Sequence, residues 1–562
     1  MREGFFGLNV AVRGLYTAQR NLDVVNHNLN NVNTPGFSRQ RAVQAASRPM
    51  AIYDGTGMIG TGSDVVSVNR VRDEYLDFKY WSETVSYGEW AAKKEVLSDM
   101  EVTFNEPSNS GFTKVLGEFF SSLQELGKDP SSSAVRALVR EKGVTVAKYF
   151  NSTAVHFEKL QADVNYRIKT KVEEVNSLAT QIQQLNRQIY VSELDGSNAN
   201  DLRDRRTLLV DKMSGIVNID ANEVVVGKLP DGRDNKHFVV TISGKAIIDH
   251  FDISKLAVVQ RGDTNKLNEE DIPQLYNVQW EDGNKLKIKG GELRGYLDIR
   301  DGNEGQIGMD GVTSSPMYKG IPFYMRKLNQ FVRTFAMAFN EGFMDNNTNG
   351  MIDPGENGTG HADGYGLDPD GTGPLPVPTG IRFFTMLGDN RNAVSTSAFL
   401  NGAHLTVDDP ATPGVDETIA AVVNRYSNIT ARNFAVSEDI ITNYSNIAAS
   451  SAAGEVGNIV NLNEVLKIRH NTHMFSEGAP EDFMKSLIAT LGIDSQQAIR
   501  YSDNQDIIVK QIENRRLSDS GVSMDEEMAN MVKFQHAYNA AARMVVTMGE
   551  IYDTLINRLG VG

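Results

Sequence analysis

The sequence predicts a mainly α protein with a β-rich central insertion. Three observations lead to this fold class. Both ends of the chain carry amphipathic helical patterns, long charged and proline-poor stretches lie next inward, and the middle alternates short apolar runs with turns. At about 100–200 residues per domain, the 562 residues correspond to three or four domains.

Composition narrows the class of protein. The chain is 40% hydrophobic and carries a net charge of −16, which argues against a nucleic-acid binder. It contains no cysteine, so disulfides, thiolate catalysis and cysteine metal sites are excluded. No apolar run approaches the roughly 20 residues of a membrane span, and the N-terminus lacks the pattern of a cleaved signal peptide. These rules alone predict a cytoplasmic protein.

The first segment is predicted to be a helix that packs against another helix. Its apolar residues alternate at spacings of four and three, with polar residues in two of the slots. Pro35 and Gly36 then end the helix. The apolar stripe consists of Leu8, Val12, Leu15, Leu22 and Leu29.

The last segment repeats this pattern. Ser523 is a candidate N-cap, and Glu526 follows it at the spacing of a capping box. Because both ends are amphipathic helices of similar length, we expect them to pair and to bring the chain ends together. The C-terminal stripe consists of Met528, Met531, Tyr538, Ala542, Val545, Tyr552 and Leu559.

Longer helices are expected next inward, over residues 72–104 and 133–213. The run VNSLATQIQQLNRQIY within the second stretch has a coiled-coil-like apolar spacing. Residues 433–516 also follow a helical pattern, with a break near Gly478, and are expected to pack on the first long helices.

The middle of the chain differs. From about 218 to 300, short apolar runs such as HFVVTIS and KLAVVQ are separated by turns and predict antiparallel strands. A helix is expected over 323–343, and the Gly, Pro, Asp and Asn content of 345–415 predicts loops.

Two motifs of catalytic or binding sites are better explained by ordinary structure. GTGMIG (55–60) matches the dinucleotide-binding spacing, but the residues after it favour a strand where that site requires a helix. HNTH (470–473) offers two imidazoles without a third ligand at a recognisable spacing. No motif supports a catalytic site, and we expect that the protein is not an enzyme.

One metal motif fits better. DNNTNGMIDPGE (345–356) matches the calcium-loop pattern at every fixed position, although the segment after it does not predict the exit helix of an EF-hand. Either the loop binds Ca²⁺, or it is an Asn- and Gly-rich turn that resembles a calcium loop. The candidate ligands are Asp345, Asn347, Asn349, Met351 through its carbonyl, Asp353 and Glu356.

The two ends also carry a family resemblance. NNVNTPGFSRQ, after its amphipathic helix, and SGVSMDEEMANMVKFQHAYNAAARMVVTMGEIYDTLIN resemble the terminal signatures of the flagellar rod, hook and hook-associated axial proteins. NDLRDRRTLLVDKMSGIVNI resembles a segment of the hook–filament junction proteins within that family. One departure is Arg205-Arg206, where the family often has acidic or amide side chains.

The resemblance implies a structural subunit that joins hook to filament by ring or helical self-assembly. It implies partners in further copies of the chain, the hook protein, a filament-side hook-associated protein and an export chaperone at the C-terminal helix, but neither nucleic acid nor membrane. It also implies export to the extracellular flagellum without a cleaved signal, which replaces the cytoplasmic prediction. The implied domains are a terminal coiled-coil domain (1–70 and 515–562), a helical domain (71–220 and 430–514) and a β-rich outer domain (221–429).

Two questions stay open from the sequence. The alternatives to a junction subunit are a flagellar hook or rod subunit and an exported adhesin-like binding module. The second question concerns the asparagines in NHNLNNVN (26–33), which either face water at a fraying helix end or fix register between subunits, since an amide both donates and accepts hydrogen bonds. The resemblance favours the contacts between subunits.

Overall fold

The computed structural model describes most of the chain, and every structural statement here refers to those residues. They are 6–51, 57–104, 111–228, 232–262, 265–342, 359–367, 379–401, 424–554 and 556. The helices are α1 (Phe6–Asn30), α2 (Glu74–Phe104), α3 (Phe112–Lys128), α4 (Ser133–Glu193), α5 (Asn200–Ile216), α6 (Glu292–Asp301), α7 (Ile321–Glu341), α8 (Thr396–Leu400), α9 (Glu438–Thr442), α10 (Val460–Lys467), α11 (Pro480–Ser520) and α12 (Met524–Asp553). The strands are β1 (Gln40–Ala46), β2 (Met50–Ala51), β3 (Met58–Ile59), β4 (Ser63–Arg70), β5 (Asp220–Lys228), β6 (Asp234–Ile242), β7 (Lys245–Asp249), β8 (Asp252–Ile253), β9 (Leu256–Gln260), β10 (Tyr276–Trp280), β11 (Phe384–Met386) and β12 (Phe434–Val436).

Long helices form the body of the molecule. The 61-residue α4 begins at an N-cap, Ser132, whose hydroxyl accepts from the Val135 amide. Helix α4 packs against α3 and α5, and α11 returns to pack along α2. The expected return of residues 433–516 onto the first long helices is therefore confirmed.

The core of this body is rich in phenylalanine. Phe331 of α7 stacks on Phe150 of α4 at 5.1 Å between ring centroids and meets Phe112 of α3 edge-on at 5.2 Å. Helix α7 thus matches the predicted helix at 323–343, but it shares its core with the long helices. The domain boundaries stay a prediction, and these contacts favour assigning α7 to the helical domain.

The β-structure expected from about 218 onward is confirmed. Strands β5 to β8 form one antiparallel sheet in sequential order, and β9 pairs with β10. Strands β7 to β10 each contact α4. The sheet thereby lies against the last turns of α4 and the start of α5.

The chain ends meet beside a hairpin. Strand β1 pairs with β4, with Gln40 opposite Arg70, and α1 packs on both strands and on α12. Within the GTGMIG motif, the described Met58 and Ile59 form β3, and strand β4 follows where a dinucleotide site needs a helix. None of the described helices combines the length and the apolar character needed to cross a bilayer.

Candidate assembly surface of the terminal helices

Helices α1 and α12 form an antiparallel pair with a seven-residue repeat. A methyl group added to Gly7 would lie 2.9 Å from the Met548 side chain, and one added to Gly14 would lie 3.9 Å from the Ala541 Cβ. Near the other end, Asn28 donates to Glu527 at 3.2 Å. The contacting positions are separated by seven residues or a multiple of seven on both helices and run in opposite directions along the chain. This spacing is typical of an antiparallel coiled coil. The predicted pairing of the two chain ends is observed.

The closest contacts on α1 use small residues. The buried positions Ala11, Ala18 and Val25 repeat every seven residues. Each falls one position before a slot of the predicted stripe, which holds Val12 and the polar residues Gln19 and Asn26. Glycine and alanine let two helix backbones approach, so they occupy the seam. The predicted residues Leu8, Val12, Leu15, Leu22 and Leu29 are each only partly buried.

On α12 the predicted stripe agrees better with the observed burial. Met531, Tyr538, Val545 and Tyr552 are partly buried, as is Ala542, whereas Met528 is 49% exposed. Leu559 lies outside the described residues. The only fully buried residue in the described part of α12 is Glu527.

Much of the apolar surface of α12 faces outward. Six of its large apolar side chains, and Ile556 just beyond its end, are between 47% and 61% exposed, although the helix already has one partner. These exposed apolar side chains are available for contacts with other molecules. The seven residues are Met524, Met528, Val532, Met544, Val546, Ile551 and Ile556.

Buried polar groups fix the end of the pair at which α1 ends and α12 begins, which we call the base of the pair. The Asn28 side chain accepts from the Gln40 amide and donates to the Gln40 carbonyl, both at 2.9 Å. It thus pairs with both backbone groups of Gln40, in the way that a residue on an adjacent strand does. The Glu527 carboxylate, 2% exposed, accepts from Arg39 Nε at 2.8 Å. Arg39 also donates to Glu526, and its backbone amide donates to the Ser520 carbonyl. These bonds tie α1, β1 and the start of α12 together.

The asparagines therefore have different roles. Asn28 is 1% exposed and its amide is used within the chain, so the expectation of a contact between subunits is wrong for this residue. Asn31, just past the end of α1, likewise donates to the His27 carbonyl within the chain. Asn26 and Asn33 are exposed and keep their amides available for neighbours.

An ionic network joins this base to the helical body. The Asp204 carboxylate on α5 accepts from the Ser38 amide at 2.7 Å and from Arg70 at 3.0 Å. Arg516 near the end of α11 bridges Asp77 on α2 and Asp211 on α5, at 3.0 and 2.9 Å. Burial raises the pKa of Asp211 above its ordinary value, and the Arg516 guanidinium opposes that rise.

A cleft of about 510 Å³ opens between the turn after α1 and the body. Thr34, Pro35 and Gly36 line one wall, and Arg516 lines the other. Gly36 adopts a φ of +76°, and a side chain there would also press on Leu208. The predicted Pro-Gly stop is thus the point where the chain turns from the terminal pair toward the body.

The remaining candidate sites offer little chemistry. Across the described ranges, no group of three or more His, Asp or Glu side chains is arranged to hold a metal ion. His473 of the HNTH motif is exposed. The candidate calcium ligands Asp345, Asn347, Asn349, Met351, Asp353 and Glu356 all lie outside the described residues.

The terminal signatures and the helical body match known protein families. Residues 97–356 match the flagellar hook-associated protein FlgK helical domain. Residues 513–559 match the flagellar basal body rod FlgEFG protein C-terminal region, and residues 8–37 match the flagella basal body rod protein. The two short matches coincide with the paired ends.

Full-length relatives and a solved structure agree with these matches. The chain is 30% identical to flagellar hook-associated protein 1 of Bacillus subtilis, with all of both chains covered. It is 24% identical to the Escherichia coli protein of that name, over 98% of this chain and 99% of the relative. The hook junction protein FlgK of Burkholderia pseudomallei shares the fold, at a TM-score of 0.50 and 14% identity, over 79% of this chain and 100% of that one. The chain therefore belongs to the flagellar hook-associated protein 1 family.

Proposed function

We propose that the chain is a structural subunit of the bacterial flagellum that joins hook to filament through self-assembly of its terminal helices. The observation that carries the proposal is the outward apolar face of α12. This helix is already paired with α1, so its exposed methionines, valines and isoleucines are available for neighbouring copies. Burial of such side chains between copies would drive assembly.

The buried network at the base of the pair supports this mechanism. Arg39, Glu527 and Asn28 hold the pair in a fixed direction relative to β1, and Asp204 holds the preceding turn on the body. A polymer that transmits torque needs its subunits joined rigidly to their assembly helices. We assign residues 1–70 and 515–562 to the assembly domain and 71–220 and 430–514 to the helical domain. Helix α7 joins the helical domain through its core contacts, and the remainder of 221–429 lies outermost.

The partners follow from this position. Further copies of the chain would bind the α12 face, the hook protein would bind below and a filament-side hook-associated protein above. An export chaperone would cover the C-terminal helix before assembly, since an exposed apolar face is an aggregation risk. The subunit would reach the extracellular flagellum by export without a cleaved signal and would act without catalysis.

Substitutions on α12 test the role of its outer face. Met528→Asp and Met544→Asp each place a charge at a side chain that is about half exposed, at 49% and 51%. We expect the purified monomer to melt as the wild type does, whereas incorporation into flagella is lost. Gln535→Asp, at an exposed polar position of the same helix, adds the same charge and should incorporate normally. Normal incorporation of both methionine variants would overturn the proposal.

Deletion and labelling test the rest. Deleting residues 525–562 should leave the middle of the chain folded and abolish incorporation. Electron microscopy of flagella with the labelled protein should show a thin band between hook and filament. A label along the whole hook would instead indicate a hook subunit, and a label on the outer surface of the filament would indicate an adhesin-like module.

A further inference from the structure

A small cavity of about 120 Å³ lies where α4 ends, α5 begins and the sheet β5–β8 covers them. Its walls combine charged and aromatic groups from four elements. They include Glu193, Arg203, Arg206, Glu223, Phe238 and His250. A single water needs only about 10–15 Å³ measured with a water-sized probe, so the cavity has room for a small polyatomic ligand.

Most of the charged groups in these walls already have partners. Arg203 donates to both oxygens of Glu193, at 2.7 and 2.8 Å, and to Glu223 at 2.6 Å. Arg206 donates through one terminal nitrogen to Glu223 at 2.7 Å and through the other to Asn186 at 3.2 Å. Because both carboxylates are held by arginines, the cavity is a poor site for a cation.

Three nitrogen atoms on two buried side chains have no hydrogen-bond partner among the described residues. Arg206 is 4% exposed and His250 is 7% exposed. Among the described residues, no hydrogen-bond partner is found for Arg206 Nε or for either ring nitrogen of His250. A buried donor without a partner is costly, so a ligand that accepts from these groups would be stabilised.

The surrounding contacts hold the His250 ring in place. The ring stacks on His237 at 4.0 Å between centroids and meets Tyr190 edge-on at 5.8 Å. Its backbone amide donates to the Phe238 carbonyl, and its carbonyl accepts from Asn186. Arg206 lies over the Phe238 ring at 3.8 Å, so both unpartnered groups are fixed at the same cavity.

We propose that this cavity binds a small oxyanion, of the carboxylate or phosphate class, through Arg206 Nε and the His250 imidazole. A guanidinium N–H and an imidazole N–H both donate, and one oxyanion can accept from both. The site is separate from the assembly surface and lies beyond the proposed function. It would couple binding of a free anion to the stability of the sheet β5–β8.

Protonation of His250 gives the site a defined pH dependence. Burial lowers the pKa of His250 to about 4, and the neighbouring His237 and Arg206 lower it while Asp249 opposes them. A bound anion would favour the imidazolium and raise that pKa. Binding is therefore expected to tighten as the pH falls. Tyr190 also meets the ring edge-on.

Thermal unfolding of the full-length protein tests the proposal. We expect phosphate or acetate at mildly acidic pH to raise the melting temperature saturably above a sodium chloride control of equal ionic strength. His250→Phe keeps the stacked ring and removes its nitrogens, so it should weaken the anion's effect by about tenfold or more. His156→Phe, at an exposed histidine of α4, is the matched control and should respond as the wild type does.

Each outcome decides the question. Stabilisation by either anion that is lost in His250→Phe supports the proposal, and the stronger anion identifies the class. No stabilisation beyond chloride, or an equal response in His250→Phe, would show that the cavity holds solvent only. If His250→Phe does not fold, Arg206→Lys takes its place, because it keeps the charge and removes Nε. Nuclear magnetic resonance titration of wild-type histidines adds a second readout, since no imidazole pKa should rise with phosphate if the proposal is wrong.

Discussion

Replacing Glu527 by glutamine tests whether one buried carboxylate holds α12 on α1. Glu527 is 2% exposed and accepts from Arg39 Nε at 2.8 Å and from Asn28 at 3.2 Å. A hydrogen bond to a charged group contributes about 1.5–3 kcal/mol. The Arg39 side chain is 27% exposed and keeps Glu526 as a partner, so we expect a loss near the lower end, about 2 kcal/mol.

Hydrogen exchange of the backbone amides measures this loss. Since 1.4 kcal/mol corresponds to tenfold, amides in the first turns of α12 should exchange about 30-fold faster in Glu527→Gln. Amides of α2 and α11 should be unchanged. Glu526→Gln is the matched control, because Glu526 accepts from the same arginine at 2.8 Å but its side chain is 63% exposed. We expect it to cost at most about 0.5 kcal/mol. Equal effects of the two variants, or faster exchange throughout the body, would refute the reasoning.

Four further changes have defined outcomes. Leu15→Asp should block assembly and leave the monomer's melting nearly unchanged, since Leu15 is only partly buried in the monomer; a large drop in melting temperature would contradict this. Burial lowers the pKa of His361 from 6.5 to about 4. About 3 kcal/mol of the free energy of unfolding should therefore be lost as the pH falls from about 6.5 to about 4. Chemical unfolding of His361→Gln should show a flatter pH dependence. Gly88→Ala would place a Cβ 2.1 Å from a backbone oxygen of α5 and should destabilise the monomer by about 3 kcal/mol in urea unfolding, whereas Gly549→Ala, with open space around it, should be neutral or slightly stabilising. Calorimetric titration of the full chain should show one calcium site, with an affinity of roughly 10⁻⁴–10⁻³ M, that is lost in Glu356→Gln; an unchanged melting curve in millimolar calcium would identify the loop as a turn.

The pairing of the chain ends was predictable because amphipathic periodicity is a local property of the sequence. The register on α1 was not, because hydrophobicity ranks Leu15 and Leu22 above the small residues that close helix approach selects. The signal was nevertheless present in the seven-residue spacings of Gly7 and Gly14 and of Ala11 and Ala18.

The polar groups at the base of the pair were harder to predict. Ser38 and Asp204 bond across 166 positions, and no local pattern marks either residue. The unpartnered nitrogens of His250 likewise depend on how α4, α5 and the sheet β5–β8 pack together. Long-range polar contacts of this kind depend on the whole fold, which composition and periodicity do not specify.

The antiparallel pair has a consequence for the timing of synthesis. Helix α1 is among the first parts of the chain to leave the ribosome, and its partner α12 is made about 500 residues later. Until residues 524–553 exist, Glu527 cannot neutralise Arg39, and the small-residue seam of α1 has no opposing helix. A prematurely terminated chain therefore lacks both the partner of its first helix and the apolar face that neighbours would bind. If neighbouring copies bind α12 as proposed, completion of the polypeptide is a condition for joining the polymer, and a truncated chain would not be incorporated.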